Sequence, residues 1–148
     1  MTTPVKAVAE IVINVNEIGR MRTFYVEVLG FTFFKQYPAE SPTIVFLTID
    51  DLDSPLGRGG HPQLFALIDV HRHPPAQARF RGLDVAVSTF NHVAFEISPA
   101  DYEAEKQRLE SLGLDVRPGH FPDMKAKALF FNDPEGNLLE FICHFESI

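Results

Sequence analysis

The sequence predicts an α+β fold of two βαβββ modules, closing as a cup-shaped mixed sheet with the helices on the outside. Three observations predict it. An alternating strand, a helix and a stopping glycine run from Glu10 to Gly30, and the same order recurs from His92 to Gly113. The two starts lie 82 positions apart, a period suited to an internal repeat. Further strand-like runs follow each helix, and neither half buries its sheet well alone. The expected organisation is a single domain of 1–148, with modules at 8–75 and 89–146.

The elements follow in order. Ala9 to Val15 alternates, with Ile11, Ile13 and Val15 on one face and Glu10, Val12 and Asn14 on the other. Asn16 is the expected cap of a helix over 17–29, whose apolar positions follow a helical period, and Gly30 stands where a C′ glycine belongs. Strands are expected at 31–37, 43–49 and 64–70, with an acidic, Gly-rich loop at 50–60 and a Pro-rich linker at 71–78. In the second copy Phe90–Ile97 is the first strand. Ser98, Pro99 and Asp101 open a helix in the manner of a capping box, and Tyr102, the stem of Lys106, Leu109 and Leu112 form its buried stripe. Strands at 114–117, 128–131 and 138–145 complete the module, with Asp133-Pro134-Glu135-Gly136-Asn137 as the last turn.

Composition narrows the function. In 148 residues, 45% hydrophobic and 22% charged is an ordinary globular balance, which excludes a disordered chain. Twenty acidic against 13 basic residues give a net charge of −7, which disfavours nucleic acid and anionic membrane as partners. No apolar run reaches the length of a membrane span, the start carries no basic-then-apolar signal, and Cys143 is the single cysteine. A cytoplasmic protein with a small-molecule partner is expected. The 14 Phe and absent Trp suit a Phe-rich core or the lining of an apolar pocket.

Strand periodicity selects the side chains that carry chemistry. Val93, Phe95 and Ile97 face the helix of the second module, leaving His92, Ala94 and Glu96 on the opposite face. On the last strand Leu139, Phe141, Cys143 and Phe145 share one face, and Leu138, Glu140, Ile142 and His144 the other. Glu140 thus lies between two aliphatic neighbours, where an unpartnered carboxylate is costly. Glu10 and His92 hold equivalent places in the two copies. Glu10, His92 and Glu140 therefore form a candidate site for one divalent metal, with Fe, Mn, Ni, Co or Zn matching two carboxylates and an imidazole. A Glu–His hydrogen-bonded pair in a polar core is the other reading of the same spacing.

The remaining candidates are weaker. His71 and His73 lie in the Pro-rich linker and are expected to be solvated, and His120 is expected in a loop. His144 either lines the cavity mouth or is exposed near the end. Cys143 is expected as a small buried hydrophobe. No phosphate loop, nucleophile elbow or dinucleotide fingerprint is present.

Three segments resemble a known family. Phe24-Tyr25-Val26-Glu27-Val28-Leu29-Gly30-Phe31, Asn91-His92-Val93-Ala94-Phe95 and Phe131-Asn132-Asp133-Pro134-Glu135-Gly136-Asn137-Leu138-Leu139-Glu140-Phe141 are similar, in order, to motifs of the vicinal oxygen chelate superfamily of glyoxalases, bleomycin-resistance proteins and extradiol dioxygenases. The resemblance implies paired βαβββ modules around a metal, with Glu140 and His92 as ligands. It places Glu10 where the family usually carries His or Gln. A further ligand used by glyoxalases falls on Ala66, which cannot coordinate, so the layout resembles the three-ligand extradiol and fosfomycin-modifying sites. Extradiol enzymes carry a non-ligand His just before this strand, which implies an acid/base role for His61. The function implied is a metal-dependent enzyme on a small oxygenated substrate, dioxygenase-like or glyoxalase-like. The alternative is a metal-free drug-binding protein of the bleomycin-resistance type. A homodimer is expected, as in much of the family.

Overall fold

The structure is a computed structural model that describes residues 8–49, 63–74 and 90–146. The chain divides into two compact units, Met1–Gly82 and Leu83–Ile148, and each carries one four-stranded mixed sheet. The βαβββ order occurs twice, as the sequence predicts.

In the first unit β1 (Glu10–Val15) leads through a helix into β2 (Thr32–Tyr37), β3 (Ile44–Thr48) and β4 (Leu64–Asp69). The sheet order is β1-β4-β3-β2, with β1 parallel to β4 and the other pairs antiparallel. The helix begins as α1 (Ile18–Thr23) and widens into a π-helical turn over Phe24–Val28. It ends at Gly30, whose φ of +76° only glycine adopts freely. The Phe31 N–H reaches back to the Tyr25 carbonyl at 3.0 Å, and the two rings pack 5.5 Å apart. Gly30 N–H meets the Val26 carbonyl at 3.1 Å, the five-to-one bond of an αL stop. Tyr25 also lies 4.7 Å from the Phe65 ring on β4, so the helix end is anchored to the sheet centre.

Asn16 does not cap this helix. Glu17 holds the N-cap position without a side-chain capping bond, and Asn16 Oδ1 lies 3.0 Å from His71 Nε2. A side-chain partner across the unit has replaced the local one.

The second unit repeats the plan with β5 (His92–Glu96), α2 (Tyr102–Ser111), β6 (Arg117–Phe121), β7 (Ala126–Asn132) and β8 (Leu138–His144), in the order β5-β8-β7-β6. Asp101 rather than Ser98 is the N-cap of α2; Ser98 makes the preceding turn, where its carbonyl accepts from Asp101 N–H at 3.0 Å. Tyr102 and Leu109 are buried, and the Tyr102 hydroxyl donates to the Ala128 carbonyl on β7 at 3.1 Å. Lys127 lays its ammonium 4.3 Å from the Tyr102 ring centre. Leu112, expected in the buried stripe, is 54% exposed. The helix has ended at its C-cap there, and Gly113 (φ +83°) has turned the chain away.

The strand expected at 114–117 forms at 117–121. Leu114 N–H bonds the Leu109 carbonyl at 3.2 Å, so the helix stop consumes the residues that were to begin the strand. β6 is an edge strand, which accommodates Pro118 without an N–H to donate. His120, expected in a loop, is therefore on a strand, its ring stacked 6.3 Å from Phe145.

Candidate metal centre

The site is built by the pairing of β5 with β8. These strands are parallel, with His92 opposite Leu138 and Ala94 opposite Glu140. His92 and Glu140 thus stand two residues out of step on one face of the sheet, within reach for long side chains. His92 Nε2 lies 3.1 Å from Glu140 Oε2. The opposite face takes Val93, Phe95, Leu139, Phe141 and Cys143, all buried. Burial of that face is what forces the imidazole and the carboxylate onto the other.

Glu140 is 5% exposed, an unusual depth for a carboxylate. Its neighbours along β8, Leu138 and Ile142, are aliphatic, and Phe130 lies opposite it on β7. His92 presents its ring edge-on to Phe130, with centres 6.1 Å apart. Phe130 itself is held over β6 by Gly119, where a Cβ would meet its ring at 2.9 Å. On the far side of the imidazole, Nδ1 is 2.6 Å from Asn91 Oδ1.

This donor set fits a divalent metal. Imidazole nitrogen and carboxylate oxygen are both donors that such ions take, and Nε2 and Oε2 lie side by side at 3.1 Å on one face of the sheet. A dication also offsets the charge that burial disfavours on Glu140.

Beyond Phe130 the same face continues to Arg117, which pairs with Phe130 in register. Arg117 Nη2 donates to Asn132 Oδ1 at 2.7 Å, and its other terminal nitrogen lies 3.7 Å from Asp115. An open cavity of about 450 Å³ is lined by Arg117, Pro118, Phe130, Asn132 and Leu138. None of Arg117, Asn132 or Asn91 is singled out as a candidate by the sequence. The available signal for Asn91 is its place beside His92. Arg117 becomes visible only once β6 is placed at 117–121.

The other expected residues are placed as follows. Glu10 is exposed on β1 of the first unit, opposite Leu64, with Val12 opposite Ala66. The offset equals that of His92 and Glu140, so Ala66, fully buried, holds the position in β4 that Glu140 holds in β8. Within either unit, among the described residues, no three His, Cys, Asp or Glu side chains gather into a metal-binding group. His61 lies outside the described residues. His71 and His73 do not form a pair: His71 meets Asn16, and His73 Nδ1 lies 3.0 Å from Thr43 Oγ1. His144 is half-buried, and its Nε2 has no partner among the described residues. Cys143 is fully buried, as expected.

The sequence profile of the Glyoxalase/Bleomycin resistance protein/Dioxygenase superfamily matches residues 7–141. The chain belongs to that superfamily. Among superfamily relatives, the "Fosfomycin resistance protein FosX" of Mesorhizobium japonicum is 31% identical over 64 residues, which is 43% of this chain and 46% of that one. The "Metallothiol transferase FosB" of Shouchella clausii is 35% identical over 54 residues, 35% of this chain and 37% of that one. The chain thus spans under half the length of the curated relatives it matches. A lactoylglutathione lyase from Agrobacterium tumefaciens shares the superfamily fold at a TM-score of 0.67 and 21% identity, covering 95% of this chain and 96% of that one. FosX from Listeria monocytogenes does so at 0.64 and 15%, covering 94% and 93%.

Proposed function

We propose that this protein is a divalent-metal-dependent enzyme acting on a small oxygenated substrate, with Glu10, His92 and Glu140 holding the ion. The observation that carries this reading is Glu140: a carboxylate 5% exposed, set among Leu138, Ile142 and Phe130, with one oxygen 3.1 Å from an imidazole nitrogen. Glu10 joins them in this reading because β1 gives it the register position of His92.

Bound there, the metal supplies Lewis-acid polarisation of adjacent substrate oxygens. The chain's own residues do the rest. Phe130 screens the pair from water on one side, and the cavity beside it gives a small molecule room. Arg117 and Asn132 bring N–H donors to the same cavity, which suits a substrate rich in oxygen acceptors. The names of two relatives, a metallothiol transferase and a lactoylglutathione lyase, support transfer or lyase chemistry over the dioxygenase-like option. A homodimer and a cytoplasmic location complete the reading: each sheet has edge strands that a second copy can cover, and a single cysteine suits a reducing compartment.

Metal analysis of the purified chain tests this directly. One divalent ion per chain, lost in Glu140→Gln, is the expected result. A chain that takes up no metal, yet binds a cationic drug with unchanged affinity in Glu140→Gln, overturns it in favour of the metal-free binding protein.

A further inference from the structure

We infer that Asn91 is the positioning residue of this site, accepting the Nδ1–H of His92 so that the Nε2 lone pair is presented to the metal; the inference rests on the metal reading above. Its basis is that each nitrogen of the ring faces a side-chain oxygen. Nε2 faces a carboxylate oxygen at 3.1 Å, and Nδ1 faces the Asn91 side-chain oxygen at 2.6 Å. A metal-binding imidazole carries one N–H, and with Nε2 on the metal that N–H sits at Nδ1, where the Asn91 oxygen is placed to accept it. A cation taken between Nε2 and Oε2 would use the Nε2 lone pair, and the Asn91 oxygen would then hold the proton at Nδ1.

The backbone makes this contact available. Adjacent residues in a strand point to opposite faces. Asn91 lies just before β5 begins at His92, outside the pleat, so its short side chain turns back to its own neighbour's ring. Without it the ring would keep its strand position but be free to rotate about χ2 and to carry the proton on Nε2. Asn91 touches neither the substrate cavity lining nor Glu140 in the contacts shown, so its action runs through His92 alone.

The test uses the full chain and Zn²⁺, followed by calorimetric titration, with imidazole-¹⁵N NMR of the zinc-loaded protein. Asn91→Ala is expected to weaken zinc binding by tenfold or more, the range seen when such an outer partner is removed. The slowly exchanging Nδ1–H signal of His92 should vanish in that variant. Asn91→Asp keeps an acceptor oxygen while adding a negative charge, so it should restore the signal and bring affinity to at least one third of wild type. A protected signal and wild-type affinity in Asn91→Ala overturn the inference, as does an Asn91→Asp variant no better than Asn91→Ala. If wild type binds zinc and Glu140→Gln does not, such failures belong to Asn91 alone. If wild type takes up no zinc, the metal reading falls, and this inference with it.

Discussion

The two modules pair their outer strands in one register yet carry different chemistry at the matched positions. In the second, His92 and Glu140 meet on the face away from α2. In the first, the same two positions hold Glu10, exposed, and Ala66, fully buried. The backbone of a repeated unit is set by hydrogen-bond ladders and by the apolar face under its helix, and those are shared. On the opposite face the copies diverge. A buried carboxylate survives at Glu140 because an imidazole stands two residues out of step from it. In the first module the matched position of β4 carries no carboxylate, and Leu64–Leu67 are buried without interruption.

The loops flanking these strands diverge too. At the end of β4, Asp69 accepts hydrogen bonds from His71 N–H, Arg72 N–H and Arg72 Nε, the last at 2.7 Å. Arg72 then reaches Ser41 and the Pro42 carbonyl, tying the turn to the segment before β3. Before β8, Asp133 does its work within one turn, accepting from Glu135 N–H, Asn137 N–H and the Asn137 side chain. The first is a clamp between elements and the second a local turn.

The largest effect is expected from making the modules alike. Ala66→Glu puts a carboxylate into a fully buried site without an imidazole beside it, so the metal-free chain should lose about 3 kcal/mol or more. If Glu10 belongs to the metal site, saturating zinc should recover much of that loss, read as a rise in Tm larger than wild type shows. Next comes the reverse change. Glu140→Gln keeps the shape and removes a coordinating charge, so metal affinity should fall by about one to two orders of magnitude, measured by competition with a chelating dye.

Asp69 offers a smaller and pH-dependent effect. Burial works against its ionisation, but the Arg72 hydrogen bond and charge, with the two backbone N–H groups, outweigh burial and hold its carboxyl below its ordinary 3.8. A group depressed in the folded state contributes stability above its unfolded value and loses it as pH falls through the folded one. Asp69→Asn should therefore lower Tm at pH 7 by the equivalent of about 1–2 kcal/mol. The gap from wild type should narrow as pH is taken below 3.8. An equal gap at pH 7 and pH 3 would show that charge at Asp69 is irrelevant. At the bottom of the scale, His71→Ala with His73→Ala should leave metal content unchanged, since these rings serve Asn16 and Thr43 separately.

Periodicity by itself determined a good deal of this protein. The period of two on β1, β5 and β8 assigned each side chain a face, and burial of Val93, Phe95, Leu139, Phe141 and Cys143 follows it. The glycines at 30 and 113 marked both helix stops, because few other residues accept a φ near +80°. The two-module plan and the pairing of His92 with Glu140 were legible for the same reason: alternation and repeat survive in one dimension. What only the tertiary structure decided depends on competition between partners distant in sequence. Asn16 fits a helix cap locally, but His71, 55 positions on, takes its oxygen. Leu112 fits the helical stripe, but the cap turns it out to solvent, and the same cap delays β6 until Arg117. That shift brings Arg117 opposite Phe130 and so beside the candidate centre. Asn91 earns its place by a side-chain turn of 2.6 Å reach that no pattern of residue types records. Patterns fix which face a residue takes; only packing fixes which atoms it meets.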